Sequence, residues 1–215
     1  MDASSPEASS AFAPAREARA ERHPVILVPG AFGQNLVYWN VMQYLLERDG
    51  FPVYSVTFPR FTFSDLRESA RLLAGKVGAV AASESADRVS LVGHSMGGLI
   101  ARYYAEVLGG AKSVHGLVCL GTPHRGTYAG LGAPVLMGAR QILPGSTFLK
   151  ELAHARLTAA TRITNIYSRF DTVVLPPANA RLDDERATNR VTNLAGHWGL
   201  LASPRVYRWI REAVG

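Results

Sequence analysis

The sequence has a single cysteine, no long apolar run and no dense basic cluster, and each scarcity excludes something. One cysteine, Cys119, rules out any disulfide within the chain. Inside the apolar run His115-Gly116-Leu117-Val118-Cys119-Leu120 it reads as a small buried core residue. No apolar stretch approaches the roughly 20 residues that a membrane-spanning helix needs, so no integral membrane segment is expected. The formal charge is +6. The arginines behind it are scattered, as at Arg67, Arg71, Arg140, Arg156, Arg181 and Arg211, with no interleaved aromatics. That is the pattern of a solvated basic surface and not of a nucleic-acid interface.

Residues 1–22 are rich in Ala, Ser and Pro and lack hydrophobic periodicity. They also lack the basic start and the apolar stretch of about 7–15 residues that a secretory signal requires. The expectation is a disordered leader on a cytoplasmic chain, or a secreted one if a signal is removed ahead of this segment.

What remains, residues 23–215, has the length of one domain able to bury a core, with 47% hydrophobic and 19% charged residues overall. Short β-rich runs recur at Val25-Val28, Val53-Val56, Val89-Val92, Gly116-Leu120, Ile163-Tyr167 and Arg190-Leu194. Each is nearly all apolar, as strands buried on both faces of a parallel sheet are. Helical periodicity separates them at Val37-Arg48, Ser64-Val80, Met96-Leu108 and Arg205-Val214. Asp49-Gly50 and Gly109-Gly110 act as stops, and Pro204 occupies a favourable first-turn position. The alternation predicts an α/β fold, a mostly parallel six-stranded sheet with helices on both faces. Residues 127–160 break the pattern. They are glycine-rich, too long for a plain loop, and read as a small cap or a helical crossover bordering the substrate.

The chemistry concentrates in Val89–Glu106, "VSLVGHSMGGLIARYYAE". A serine between two glycines, after a strand and before a helix, is the arrangement of a nucleophile elbow, whose strained turn tolerates no side chains two positions away. Ser95 is therefore a candidate nucleophile. A serine hydroxyl needs a base to accept its proton. Of the six histidines, His197 lies after the final strand and leaves room for an acid between itself and Ser95, the chain order expected on this architecture. His124, in Gly121-Thr122-Pro123-His124-Arg125-Gly126-Thr127, also follows a strand end and is the rival base. His94 flanks the serine but points elsewhere. Asp171, four residues beyond Tyr167, is the acid that would fix the base's tautomer; a turn aspartate bonding its own backbone is the plainer reading. The glycine turn after the first strand, "VPGAFGQN", supplies backbone amides. Ala31 and Met96 are the candidate oxyanion donors.

Taken together, "PVILVPGAFGQN", "VSLVGHSMGGLIARYYAE", "LVCLGTPHRGT", "PGSTFLKEL", "IYSRFDTVVLPP" and "LAGHWGLLASPRV" resemble the bacterial lipase and esterase branch of the α/β-hydrolase superfamily, from about Pro24 to Val206. The resemblance implies a compact α/β-hydrolase fold without the leading antiparallel strands of larger relatives. It implies Ser95, Asp171 and His197 as a triad, with Ala31 and Met96 as oxyanion donors. Pro29-Gly30 stands where family members usually carry His-Gly, which weakens the oxyanion assignment relative to the triad. No paired aspartates match the calcium site of some larger members, so neither metal nor cofactor is expected. The implied activity is hydrolysis of acyl esters, with a small-molecule or lipid ester as partner and transient contact with a lipid interface. Phe32, Leu131, Val135, Val173 and Leu200, together with Leu136 and Met137, would line the acyl groove. An acyltransferase or thioesterase could use the same triad. A catalytically silent binding module would normally have lost a triad member.

Overall fold

The computed structural model describes residues 22–31, 37–58, 64–133, 135–155, 162–193 and 196–215. Most of the expected leader, and Phe32, lie outside them. Arg22, assigned to the leader, places its guanidinium 4.5 Å over the Phe51 ring.

Six strands, β1 (Val25–Val28), β2 (Val53–Ser55), β3 (Val89–His94), β4 (Val114–Leu120), β5 (Ile163–Ser168) and β6 (Ala187–Thr192), form one sheet in the order β2-β1-β3-β4-β5-β6. Every pairing is parallel. The helices are α1 (Val37–Arg48), α2 (Leu66–Ser83), α3 (Met96–Glu106), α4 (Met137–Gln141), α5 (Thr147–Ala155) and α6 (Pro204–Val214).

The two-residue alternation of the strands divides the core in two. Ile26, Val28, Leu91, Leu117, Cys119 and Ile163 face the side covered by α2, α3 and α5. Their neighbours Val25, Leu27, Val92, Val118, Leu120 and Ile166 pack with α1 and α6. With both faces covered, β1 and β3 are buried along their whole length. Each such Val, Leu or Ile contributes about 1.5–3 kcal/mol on burial. Local signals set the helix starts. Asp65 caps α2 by accepting from the Arg67 amide, and Ser203 caps α6 ahead of Pro204 at its first position.

The edges of the sheet depart from the expected strands. β6 begins at Ala187 and not at Arg190, and β2 ends at Ser55. Both are edge strands with one neighbour, and of β6 only Thr192 is buried. An edge strand carries no continuous apolar run, so an expectation built on such runs sets β6 three residues late. β4 begins two residues before Gly116, at Val114.

In the 127–160 stretch, α5 packs as part of the helical layer. Phe148, Leu149 and Leu152 enter the core, and Phe148 stacks on Tyr103 with centroids 5.1 Å apart. The Glu151 carboxylate accepts from Arg67 Nε and Nη2 (3.0 and 2.7 Å), which ties α5 to α2. Upstream, Tyr128, Leu131, Val135 and Met137 are exposed.

The strand order fixes where a ligand can bind. The chain leaves β1 toward β2 on one side and enters β3 on the other, so the loops after β1 and β3 diverge. Such a switch point opens a crevice at the carboxyl ends of the strands. The loop after β1 holds Gly30-Ala31 and the turn after β3 holds Ser95.

Candidate functional site

Ser95 follows β3 and caps α3 with φ 55° and ψ −124°, a positive-φ conformation that costs on the order of 1–3 kcal/mol in a non-glycine residue. Its amide is held by the Leu120 carbonyl at 2.8 Å. The glycines beside it are required by space. A Cβ on Gly97 would lie 2.1 Å from the Val28 carbonyl oxygen, and one on Gly93 2.6 Å from Gly98 Cα. The Ser95 side chain makes no capping hydrogen bond to α3, so helix capping does not occupy its hydroxyl.

The loop after β1 lies directly against this serine. A Cβ on Gly30 would stand 2.8 Å from Ser95 Cβ and 3.5 Å from its Oγ. Ala31 is half-buried beside it, and Met96 is buried at the first turn of α3, where the opening amides lack intrahelical acceptors. The positive end of the helix dipole points the same way.

Asp171 and His197 converge from two other loops. Asp171 Oδ2 accepts from His197 Nδ1 at 2.8 Å, with side chains that are 0% and 1% exposed. Oδ1 of Asp171 accepts the amides of Val173 and Val174, each at 2.8 Å. Asp171 therefore bonds its own turn through one oxygen and His197 through the other. Burial alone would raise its pKa. The bonds from His197, Val174 and Val173 outweigh that and hold the carboxyl below its ordinary value. An ionised carboxylate only accepts, so the proton of His197 sits on Nδ1. Its Nε2, which then carries the lone pair, is buried and has no hydrogen-bond partner among the described residues. Gly121 lies beneath the pair. A Cβ there would sit 3.2 Å from His197 Nδ1 and 3.3 Å from Asp171 Oδ2.

His94 is nearer to this centre than the sequence suggests. It is 0% exposed, and its ring lies 4.6 Å from that of His197 and 5.4 Å from that of Trp198. Burial, and then the charge of neighbouring His197, push its pKa down to about 3. An unfolded chain exposes an ordinary imidazole of pKa about 6.5. Below that pH the unfolded state binds a proton that the native state does not, so this contribution is complete above pH 6.5 and is lost as the pH falls. From pH 7.5 to 5 the expected loss is about 2 kcal/mol. Urea unfolding at both pH values reads it as the difference between wild type and His94→Gln. Equal losses in the two proteins would contradict a neutral buried His94.

The rival base is otherwise engaged. His124 Nδ1 accepts from Arg102 Nη1 at 3.1 Å, and its Nε2 donates to Asn165 Oδ1 at 3.0 Å. Burial, with the adjacent Arg102 charge, holds its pKa well below 6.5. With both ring nitrogens bonded inside the protein, His124 cannot serve Ser95. Of the groove candidates, Leu131 and Val135 are exposed, and Val173 is half-buried in the Asp171 turn. Leu200 is fully buried in the core, and a Cβ on Gly121 would touch it at 3.0 Å; it lies beneath the Asp171–His197 pair.

An elbow serine at the switch point of a parallel sheet, with a buried Asp–His pair on the loops after β5 and β6, points to one class. Residues 23–130, half of the chain, match the family model for the alpha/beta hydrolase fold, and the chain belongs to that family. Among named relatives it is 38% identical over 126 residues to the triacylglycerol lipase of Burkholderia plantarii, covering 56% of this chain and 35% of that one. It is 39% identical over 114 residues to the triacylglycerol lipase of Pseudarthrobacter phenanthrenivorans, covering 50% and 35%. The match thus spans about a third of these relatives' length. The fold superimposes on the mature Bacillus licheniformis lipase BlEst2 with a TM-score of 0.73 at 16% identity, covering 90% of this chain and 92% of that one. Aspergillus fumigatus lipase B gives 0.73 at 20% identity, covering 93% and 56%. Among the described residues no helix is long and apolar enough to cross a membrane.

Proposed function

We propose that this chain is a serine carboxylic-ester hydrolase of the lipase and esterase type, with Ser95 as nucleophile, His197 as general base and Asp171 as its orienting partner. The observation that carries this reading is the buried His197 imidazole, whose proton is fixed on Nδ1 by Asp171. That leaves Nε2 as the basic nitrogen, without a protein partner among the described residues, on a loop at the same carboxyl end of the sheet as Ser95.

The chemistry follows from the atoms. Ser95 Oγ attacks the ester carbonyl as its proton passes to His197 Nε2. The oxyanion is met by backbone amides, for which Met96 and Ala31 are the candidates; one such donor contributes about 2.7–4 kcal/mol to the transition state. His197 returns the proton to the leaving alcohol, and water repeats the sequence on the acyl-enzyme. Asp171 keeps the imidazole in the required tautomer and stabilises the imidazolium. The base must be neutral to act, so the rate falls in acid. The lipase names of the relatives point the same way.

A p-nitrophenyl ester series from acetate to palmitate tests this. With the exposed Leu131, Val135 and Met137 proposed to line the acyl groove, kcat/KM is expected to rise by at least tenfold from acetate to octanoate, since each buried methylene contributes up to about 0.8 kcal/mol. No turnover above buffer with any ester would remove the proposal. Faster release of p-nitrophenol on adding an alcohol or thiol, with the acylated acceptor as main product, would redirect it to acyl transfer.

A further inference from the structure

We propose that His94, the residue before the nucleophile, is a positioning residue that locks the backbone of His197 in register with Ser95. This rests on the triad reading above. The Nε2 of His94 lies 3.1 Å from the carbonyl oxygen of His197. A carbonyl can only accept, so His94 carries its proton on Nε2 and donates it there. Its ring also packs on His197 at 4.6 Å and on Trp198 at 5.4 Å, with Trp39 edge-on at 6.3 Å.

Two side chains among the described residues hydrogen-bond to His197. Asp171 holds the ring, and His94 holds the main chain. The second bond has a particular geometry, because His94 is covalently joined to Ser95. The strained serine and the loop of its base are thereby connected through one residue and one hydrogen bond. A proton transfer that needs its two atoms near 3 Å is sensitive to slippage here, and a displacement of about 1 Å can cost 10²-fold. The brace must also be uncharged, because a cation beside His197 would oppose the imidazolium that forms in the transition state. A fully buried imidazole donor meets that condition, and a lysine or arginine would not.

The test uses three substitutions. His94→Phe keeps a ring and removes the donor. Gln carries an amide nitrogen at a reach close to that of Nε2, and Asn carries one too short to span the gap. The expected result is a fall in kcat of about 10–100-fold for His94→Phe and His94→Asn with KM within threefold of wild type. His94→Gln should recover at least tenfold of that loss. A packing role alone would rank Phe above Gln. Folded Phe and Asn variants with wild-type kcat, or a Gln variant as slow as Asn, would overturn the proposal; if Phe does not fold, the Gln–Asn comparison decides it. A readout independent of turnover is the low-field proton resonance of the His197–Asp171 hydrogen bond. It should persist in His94→Gln, broaden in His94→Asn, and behave alike when Ser95→Ala is added to each variant. That separates failure of the brace, seen in this resonance, from failure of the triad, seen as activity surviving Ser95→Ala.

Discussion

Ser95→Ala is expected to lower kcat/KM for p-nitrophenyl esters by on the order of 10⁴-fold or more, with KM and thermal stability little changed. The size follows from what is lost. On the proposed mechanism, without Oγ no acyl-enzyme forms and His197 has no proton to take, whereas the candidate oxyanion amides and the binding surface persist. Those remnants sustain only a residual catalysis over water. Stability is spared because Oγ makes no capping bond to α3 and the Cβ that makes φ 55° costly is kept in alanine, so the strain is unchanged. Ser95→Gly sharpens the result. It should be equally inactive yet more stable, by about 1 kcal/mol or more, since glycine adopts φ 55° freely. An alanine variant that keeps a tenth of wild-type activity would remove Ser95 from the mechanism. A glycine variant less stable than alanine would show that the turn is not strained.

The elbow is legible in the sequence because its chemistry is local: strand, turn and helix are consecutive, and the two glycines advertise the steric demand. Chain order delivers Asp171 and His197, since each sits on the loop after a strand and the strands run in parallel register. The start of β6 is not legible, because edge strands lack the apolar run that marks a central strand. His94 and His124 exchange places in their relation to the site. In sequence, His94 is a flanking residue and His124 a strand-end candidate. What distinguishes them is the direction of each ring and the contacts it finds: the His197 carbonyl for one, Arg102 and Asn165 for the other. Contacts between residues 103 or 41 positions apart leave no trace in local pattern.

Arg102→Met is expected to destabilise the fold by about 3–5 kcal/mol, the largest loss of stability anticipated for a residue outside the proposed triad. Arg102 and Glu106 lie one turn apart on α3, joined through Nη2–Oε2 at 2.8 Å, with side chains 3% and 0% exposed. The pair begins a longer relay. Arg102 donates to His124, His124 to Asn165, and Asn165 Nδ2 to both Asn189 Oδ1 and the Ala180 carbonyl. Asn189 then exchanges hydrogen bonds with the backbone of Leu182. The relay crosses from α3 over the loop after β4 to β5 and β6, engaging both amide protons of Asn165 and both nitrogens of His124. Removing Arg102 leaves the buried carboxylate with Arg186 at 3.5 Å as its remaining ion-pair partner among the described residues, and strips His124 Nδ1 of its donor. A buried charge that loses its closest partner is the costly outcome; an apolar pair of similar volume is not. Arg102→Met combined with Glu106→Leu should therefore recover at least half of the loss, a coupling that urea unfolding of the two singles and the double measures directly. A single-variant cost below about 1 kcal/mol would mean that the pair behaves as a solvated surface bridge. Additive singles would mean that Arg102 acts through packing and His124, without its charge on Glu106. The expected coupling gives the Gly121–Thr127 run its role: His124 locks the loop after β4 to its neighbouring strands, and that loop begins at Gly121, directly beneath the Asp171–His197 pair.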